Sequence, residues 1–173
     1  MIMLIEQLHS NNQYRIETLF LAGSLADRYA SLCCKSKVSL PCLLELSVTS
    51  LLIAVKIEEH GEPSFDRMID LVMEIHEVKF EKKRLLKLEE KMLRAFDFSL
   101  RRASSVDFLS RFVRLFGLES ETIKQEHSDQ VIFLASTYCR FMMRESLFLQ
   151  FKSSQIAAAS LLFAINLCQS TVV

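Results

Sequence analysis

Glycine and proline are nearly missing from this chain of 173 residues, which holds three of the first and two of the second. Hairpins and strand-rich folds lean on both, so their scarcity argues for helices throughout. Tryptophan is absent. An excess of one charge is absent too, because 21 Lys and Arg balance 21 Asp and Glu. A nucleic-acid binder generally carries a basic surplus on some face. Here basic residues gather only at 79–84 and at Arg101-Arg102, which read as solvated helix surface and linker.

The five cysteines are odd in number, form no CxxC and have no His at ligand spacing. That speaks against a disulfide framework or zinc site, and for reduced, mostly buried thiols in the cytosol or nucleus. The longest apolar run, 156–167, contains Asn166 and is too short to span a bilayer. Residues 1–8 carry no basic leader or small-residue cleavage site, so they do not read as a signal peptide. No Gly-rich phosphate loop, HExxH or nucleophile motif occurs. No catalytic residue, metal ligand or cofactor is therefore assigned, and an enzyme reading lacks support.

What is present is a globular balance, half hydrophobic and 24% charged. Helical periodicity predicts a short helix to about residue 8, then helices near 14–33, 40–59, 64–76 and 79–97. After a polar linker at 99–103 come helices near 104–117, 121–147 and 153–169. Gly61 suits a left-handed helix end, Pro63 prevents continuation and Ser64 suits an N-cap. Ser104 with Asp107 resembles a capping box, with Asp where Glu is usual. The preceding Arg101-Arg102-Ala103 also suits a basic-directed phosphorylation site at Ser104, against the plainer N-cap reading. The four His are placed on surface and helix ends and given no role.

The chain repeats itself. Ser50-Leu51-Leu52-Ile53-Ala54-Val55-Lys56-Ile57 matches Ser160-Leu161-Leu162-Phe163-Ala164-Ile165-Asn166-Leu167. Phe20-Leu21-Ala22-Gly23-Ser24 matches Phe133-Leu134-Ala135-Ser136-Thr137 at nearly the same offset. Two copies of one helical unit follow, residues 1–100 and 101–173. The second is short by roughly two helices. Its last helix is expected to leave apolar surface bare, unless the chain was cut or a partner covers it.

Two charges stand out against this pattern. Glu89 falls among Leu85, Met92, Leu93 and Phe96 on the apolar face of its helix. Lys56 lies on a helix apolar nearly all round, in a narrow polar stripe with Glu45 and Thr49. On the same helix Ser47, Ser50 and Ala54 form a small-residue stripe that lets another helix approach closely. A carboxylate buried unpaired costs several kcal/mol. Either the two charges pair internally or they meet a partner, and the readings are compatible. The repeat puts Asn166 where the first copy has Lys56, so packing alone does not demand a cation there.

The stretch SLLIAVKIEEHGEP, followed by KRLLKLEEKMLRAFDFSL, resembles the cyclin box. LFLAGSLADRYAS resembles that box's second helix, and FLASTYCRFMM with FKSSQIAAASLLFAINL resembles parts of a second box. The resemblance spans roughly residues 4 to 170. It implies an all-α fold of two tandem cyclin boxes. It also implies a regulatory subunit, not an enzyme, that binds and activates a cyclin-dependent protein kinase in cell-cycle control. By that resemblance Lys56 and Glu89 contact the kinase, with Ile53, Ile57, Leu93, Phe98 and Leu100 as apolar contacts. The cyclin would hold the kinase C helix inward, completing the Lys–Glu pair that positions ATP phosphates. A heterodimer in the nucleus, the cytoplasm or both is expected, with no nucleic-acid or membrane partner.

The chain departs from the family in lacking the M-R-A-I-L segment and Trp of the first helix, which build a substrate-docking patch. Asp27 would pair with that missing Arg. Two other readings share the fold, a DNA-binding transcription factor and a non-activating adaptor. The acidic cluster Glu58, Glu59, Glu62 speaks against the first.

Overall fold

Helix is the only extended regular structure among the described residues, and no strand occurs there. The computed structural model describes residues 1–36, 42–60, 65–76, 81–118 and 125–170. They form α1 Ile2–Asn12, α2 Ile16–Lys35, α3 Leu43–Glu58, α4 Phe65–His76, α5 Lys82–Ala95, α6 Ser105–Leu115, α7 Gln125–Arg144 and α8 Ser153–Ser170. A short 3-10 helix, Ser146–Gln150, follows α7. The chain divides into two compact units, Met1–Arg102 and Ala103–Val173.

In the first unit α3 is the central helix, packed against α1, α2, α4 and α5. Residues from Leu46 to Val55 are buried without interruption, as a helix apolar all round requires. Ser47, Ser50 and Ala54, the small-residue stripe, are fully buried. Ser47 Oγ returns its hydrogen bond to Leu43 O at 2.7 Å, so the polar atom there is satisfied within the helix. Around α3 lie Leu19, Leu25, Leu85 and Met92, none exposed by more than a trace. Each such side chain contributes about 1.5–3 kcal/mol by leaving water.

Helix ends depart from expectation by a few residues, with local causes. The α1 helix runs four residues past Leu8 because Ser10, Asn11 and Asn12 still take helical geometry; Gln13, left-handed at φ 54°, stops it. Helix α7 stops at Arg144 and gives way to 3-10 geometry where a continuous helix to 147 is expected. Gly61, Pro63 and Ser64 lie outside the described residues.

In the second unit α6, α7 and α8 pack on one another. Ser104 caps α6 through a complete capping box. Its hydroxyl accepts from Asp107 N–H, while the Asp107 carboxylate accepts from Ser104 N–H at 2.7 Å. The repeat is visible in burial. Leu161, Ala164 and Ser160 are buried like Leu51, Ala54 and Ser50. Leu162 and Phe163 are exposed, whereas Leu52 and Ile53 are buried. The helices that flank α3 as α4 and α5 have no counterpart beside α8 among the described residues.

Candidate functional site

The polar stripe of α3 faces α5. Glu45 Oε1 lies 2.9 Å from Arg84 Nη2, and Lys56 Nζ lies 2.5 Å from Glu89 Oε1. Between them Thr49 is buried, its hydroxyl without a hydrogen-bond partner among the described residues. The stripe is thus the seam between the two helices. Leu85, Leu88 and Met92 of α5 pack inward, and Glu89 rides the edge of that buried face. Its side chain is 13% exposed and that of Lys56 43%. The two charges therefore pair with each other in this chain, the carboxylate sheltered and the ammonium half in water.

The apolar residues named from the resemblance separate by depth. Ile53 is 2% exposed and belongs to the core, where it backs the face without offering surface. Ile57, Leu93 and Leu100 are half-buried. Phe98 is 69% exposed. Leu86, 46% exposed, was missed by the sequence reading, although its place one turn before Glu90 on the outward side of α5 was there to find. Leu86, Glu89, Glu90, Leu93, Arg94 and Phe98 line an open groove of about 380 Å³. Arg94 and Glu90 close one side of it as an ion pair one turn apart, at 2.8 Å.

The backbone that carries Phe98 is unusual. Helix α5 ends in a Schellman turn, with Phe98 N–H donating to Leu93 O and Asp97 N–H to Arg94 O. The left-handed position after such a helix is normally glycine, and Gly117 fills it after α6 at φ 65°. After α5 it is Asp97, φ 49°, followed by Phe98, φ 55°. A left-handed residue with a side chain costs about 1–2 kcal/mol, more readily borne by Asp than Phe. Two groups hold the turn. Arg28, on α2, donates to Ser99 O at 3.0 Å and Leu100 O at 3.1 Å, with its guanidinium 4.3 Å above the Phe96 ring. Burial, and then nearby Arg102, pull its pKa down from the ordinary value. Arg101 grips Glu58 with both arms, at 2.7 and 3.0 Å.

Two members of the acidic cluster, Glu58 and Glu59, are engaged within the fold. Glu58 is nearly buried against Arg101, and Glu59 accepts from Arg15 N–H and the Thr18 hydroxyl at the start of α2. Glu62 lies outside the described residues. Arg101 lies in the linker after α5 with its side chain 72% exposed, and it is tied to Glu58. His9 is buried rather than on the surface, its Nε2 2.9 Å from Arg15 O. Asp27 is half-buried, and burial pushes its carboxyl above the usual range. Of the cysteines, Cys33, Cys139 and Cys168 are buried and Cys34 and Cys42 exposed. Among the described residues no cluster of His, Cys, Asp and Glu could hold a metal, and no helix is long and apolar enough to cross a membrane.

The family pattern described as "Cyclin, N-terminal domain" matches residues 1–101, and "Cyclin, C-terminal domain" matches 103–172. The chain belongs to the cyclin family. Among its cyclin relatives, putative cyclin-A3-1 of Arabidopsis thaliana is 33% identical over 86% of this chain and 39% of its own length. Human G2/mitotic-specific cyclin-B3 is 29% identical over 86% of this chain and 10% of its own. The G2/mitotic-specific cyclin-B of Marthasterias glacialis is 30% identical over 90% and 36%. The chain thus spans about two-fifths or less of these cyclins' length. The first family match takes in both α3 and α5, and so the whole Lys56–Glu89 seam.

Proposed function

We propose that this chain is a cyclin-type regulatory subunit that binds a cyclin-dependent protein kinase and activates it in cell-cycle control. The observation that carries the reading is the Lys56–Glu89 pair at the rim of the Leu86–Phe98 groove, in a chain of the cyclin family. Internal packing does not call for such an arrangement, because the repeat keeps the same apolar pattern with Asn166. A kinase C helix would lay its apolar side along Leu86, Leu93 and Phe98, while the paired charges offer a donor and an acceptor to its backbone ends. Held inward, that helix completes the kinase's own Lys–Glu pair. The chain would supply position and no chemistry, and would act wherever its kinase resides, nucleus or cytoplasm.

The test replaces Lys56→Ala and Glu89→Ala together. Capture of purified cyclin-dependent kinases and their histone-phosphorylating activity would be compared with wild type, with helical content as the control for folding. Loss of capture with helicity kept supports the reading; unchanged capture refutes the assigned face.

A further inference from the structure

The turn after α5 holds its most exposed aromatic residue, Phe98, in a backbone conformation that side-chain-bearing residues seldom take. Such a conformation persists only where its surroundings over-determine it. Here the surroundings come from distant sequence. Arg28 reaches across 71 and 72 positions to the carbonyls of Ser99 and Leu100. Its guanidinium stacks on Phe96, whose ring meets Tyr29 edge-on with centroids 6.2 Å apart. From the other side, Glu58 at the end of α3 holds Arg101. Of the four residues from Phe98 to Arg101, Ser99 and Leu100 are gripped at their carbonyls and Arg101 by its side chain, while the Phe98 ring stands 69% exposed.

We propose that Arg28, seconded by the Glu58–Arg101 pair, is a positioning residue for partner binding that holds Phe98 poised on the rim of the groove. The proposal rests on the kinase reading above. Its physical content is preorganisation: a turn already fixed spares the complex the entropy of ordering it. A planar guanidinium suits the task, because it forks to two carbonyls while its face lies on a ring, which an ammonium cannot do.

The experiment is a double-mutant cycle on the full chain. Affinity for the kinase catalytic subunit that wild type captures best is measured for Arg28→Met, Phe98→Ala and both together. Arg28→Met is expected to weaken binding about tenfold in the wild-type background but about twofold or less once Phe98 is alanine, since its effect runs through that ring. Arg28→Lys should resemble Arg28→Met. Amide exchange at Ser99 and Leu100, read without any kinase, should quicken in both. Equal losses in the two backgrounds, or wild-type affinity in Arg28→Met, overturn the positioning role. Unchanged amide exchange overturns the clamp while leaving the kinase reading intact. If wild type captures no kinase, the kinase reading falls and the positioning role with it. Should Arg28→Met not fold, Glu58→Gln loosens the turn from its other side and is read by the same cycle.

Discussion

Removing one member of the Lys56–Glu89 pair should not cost the same as removing the other. The Glu89 side chain is 13% exposed and that of Lys56 43%. In Lys56→Met the carboxylate stays sheltered beside Leu85 and Met92 with its cation gone. A charge stranded in that way costs about 2 kcal/mol, below the 3–5 of a fully buried pair because some water still reaches it. In Glu89→Leu the ammonium swings into water on its long stem, and the cost is about 0.5 kcal/mol. With both replaced, two apolar side chains fill the seam, and the double variant should be as stable as wild type or slightly more so. The coupling is then about 2.5 kcal/mol, well above that of an exposed pair. Urea unfolding followed by far-UV circular dichroism reads all four proteins. With a slope of roughly 2 kcal/mol per molar, Lys56→Met moves the midpoint down by about 1 M. Equal losses in the two single variants would refute the argument from burial. So would a double variant whose loss is the sum of the singles.

Three further outcomes follow from particular atoms. Thr49→Val deletes a buried hydroxyl that lacks a partner among the described residues, and should stabilise the chain by about 0.5–1 kcal/mol in the same unfolding assay. Asp27 has its pKa raised by burial, so the folded state holds that proton more tightly than the unfolded chain. Its contribution is full below the unfolded pKa near 4 and is lost as pH rises through the raised value. Asp27→Asn should accordingly gain stability over wild type at pH 7, with the gain fading towards pH 4 in a thermal-melt series. Cys34 and Cys42 should react promptly with a thiol reagent, while Cys33, Cys139 and Cys168 wait for denaturant, Cys139 most of all because burial raises its thiol pKa.

The helices were legible because their signals are local. Residues 43 to 58 are apolar nearly all round save one narrow polar stripe, α5 alternates faces with a 3.6 period, and two Pro and three Gly leave few places to stop. The capping box at Ser104 was legible for the same reason, since its partners are three residues apart. The Lys56 and Glu89 anomaly was visible from each helix separately, though not that the two meet. What escaped were ties with no periodicity to betray them. Arg28 to Leu100, Glu58 to Arg101 and Glu59 to Thr18 join residues more than 40 apart. A glutamate read along the chain looks the same whether it faces solvent or grips an arginine, so the ties of Glu58 and Glu59 have no signature in the sequence. Phe98's exposure and its left-handed backbone were hidden likewise, because no residue type announces a Schellman turn that lacks its glycine.

Lys56, Glu58 and Glu59 lie within four positions, yet they reach three different places: α5, the segment after α5, and the start of α2. A substitution at any one of them severs one tie. A change in length is another matter. One residue inserted after Val55 would turn all three side chains by about 100° at once. It would undo the charge pair, the grip on Arg101 and the anchorage of α2 together. The end of α3 should therefore accept replacements one at a time and reject every insertion or deletion, a contrast that a library of single-residue insertions and point variants would expose.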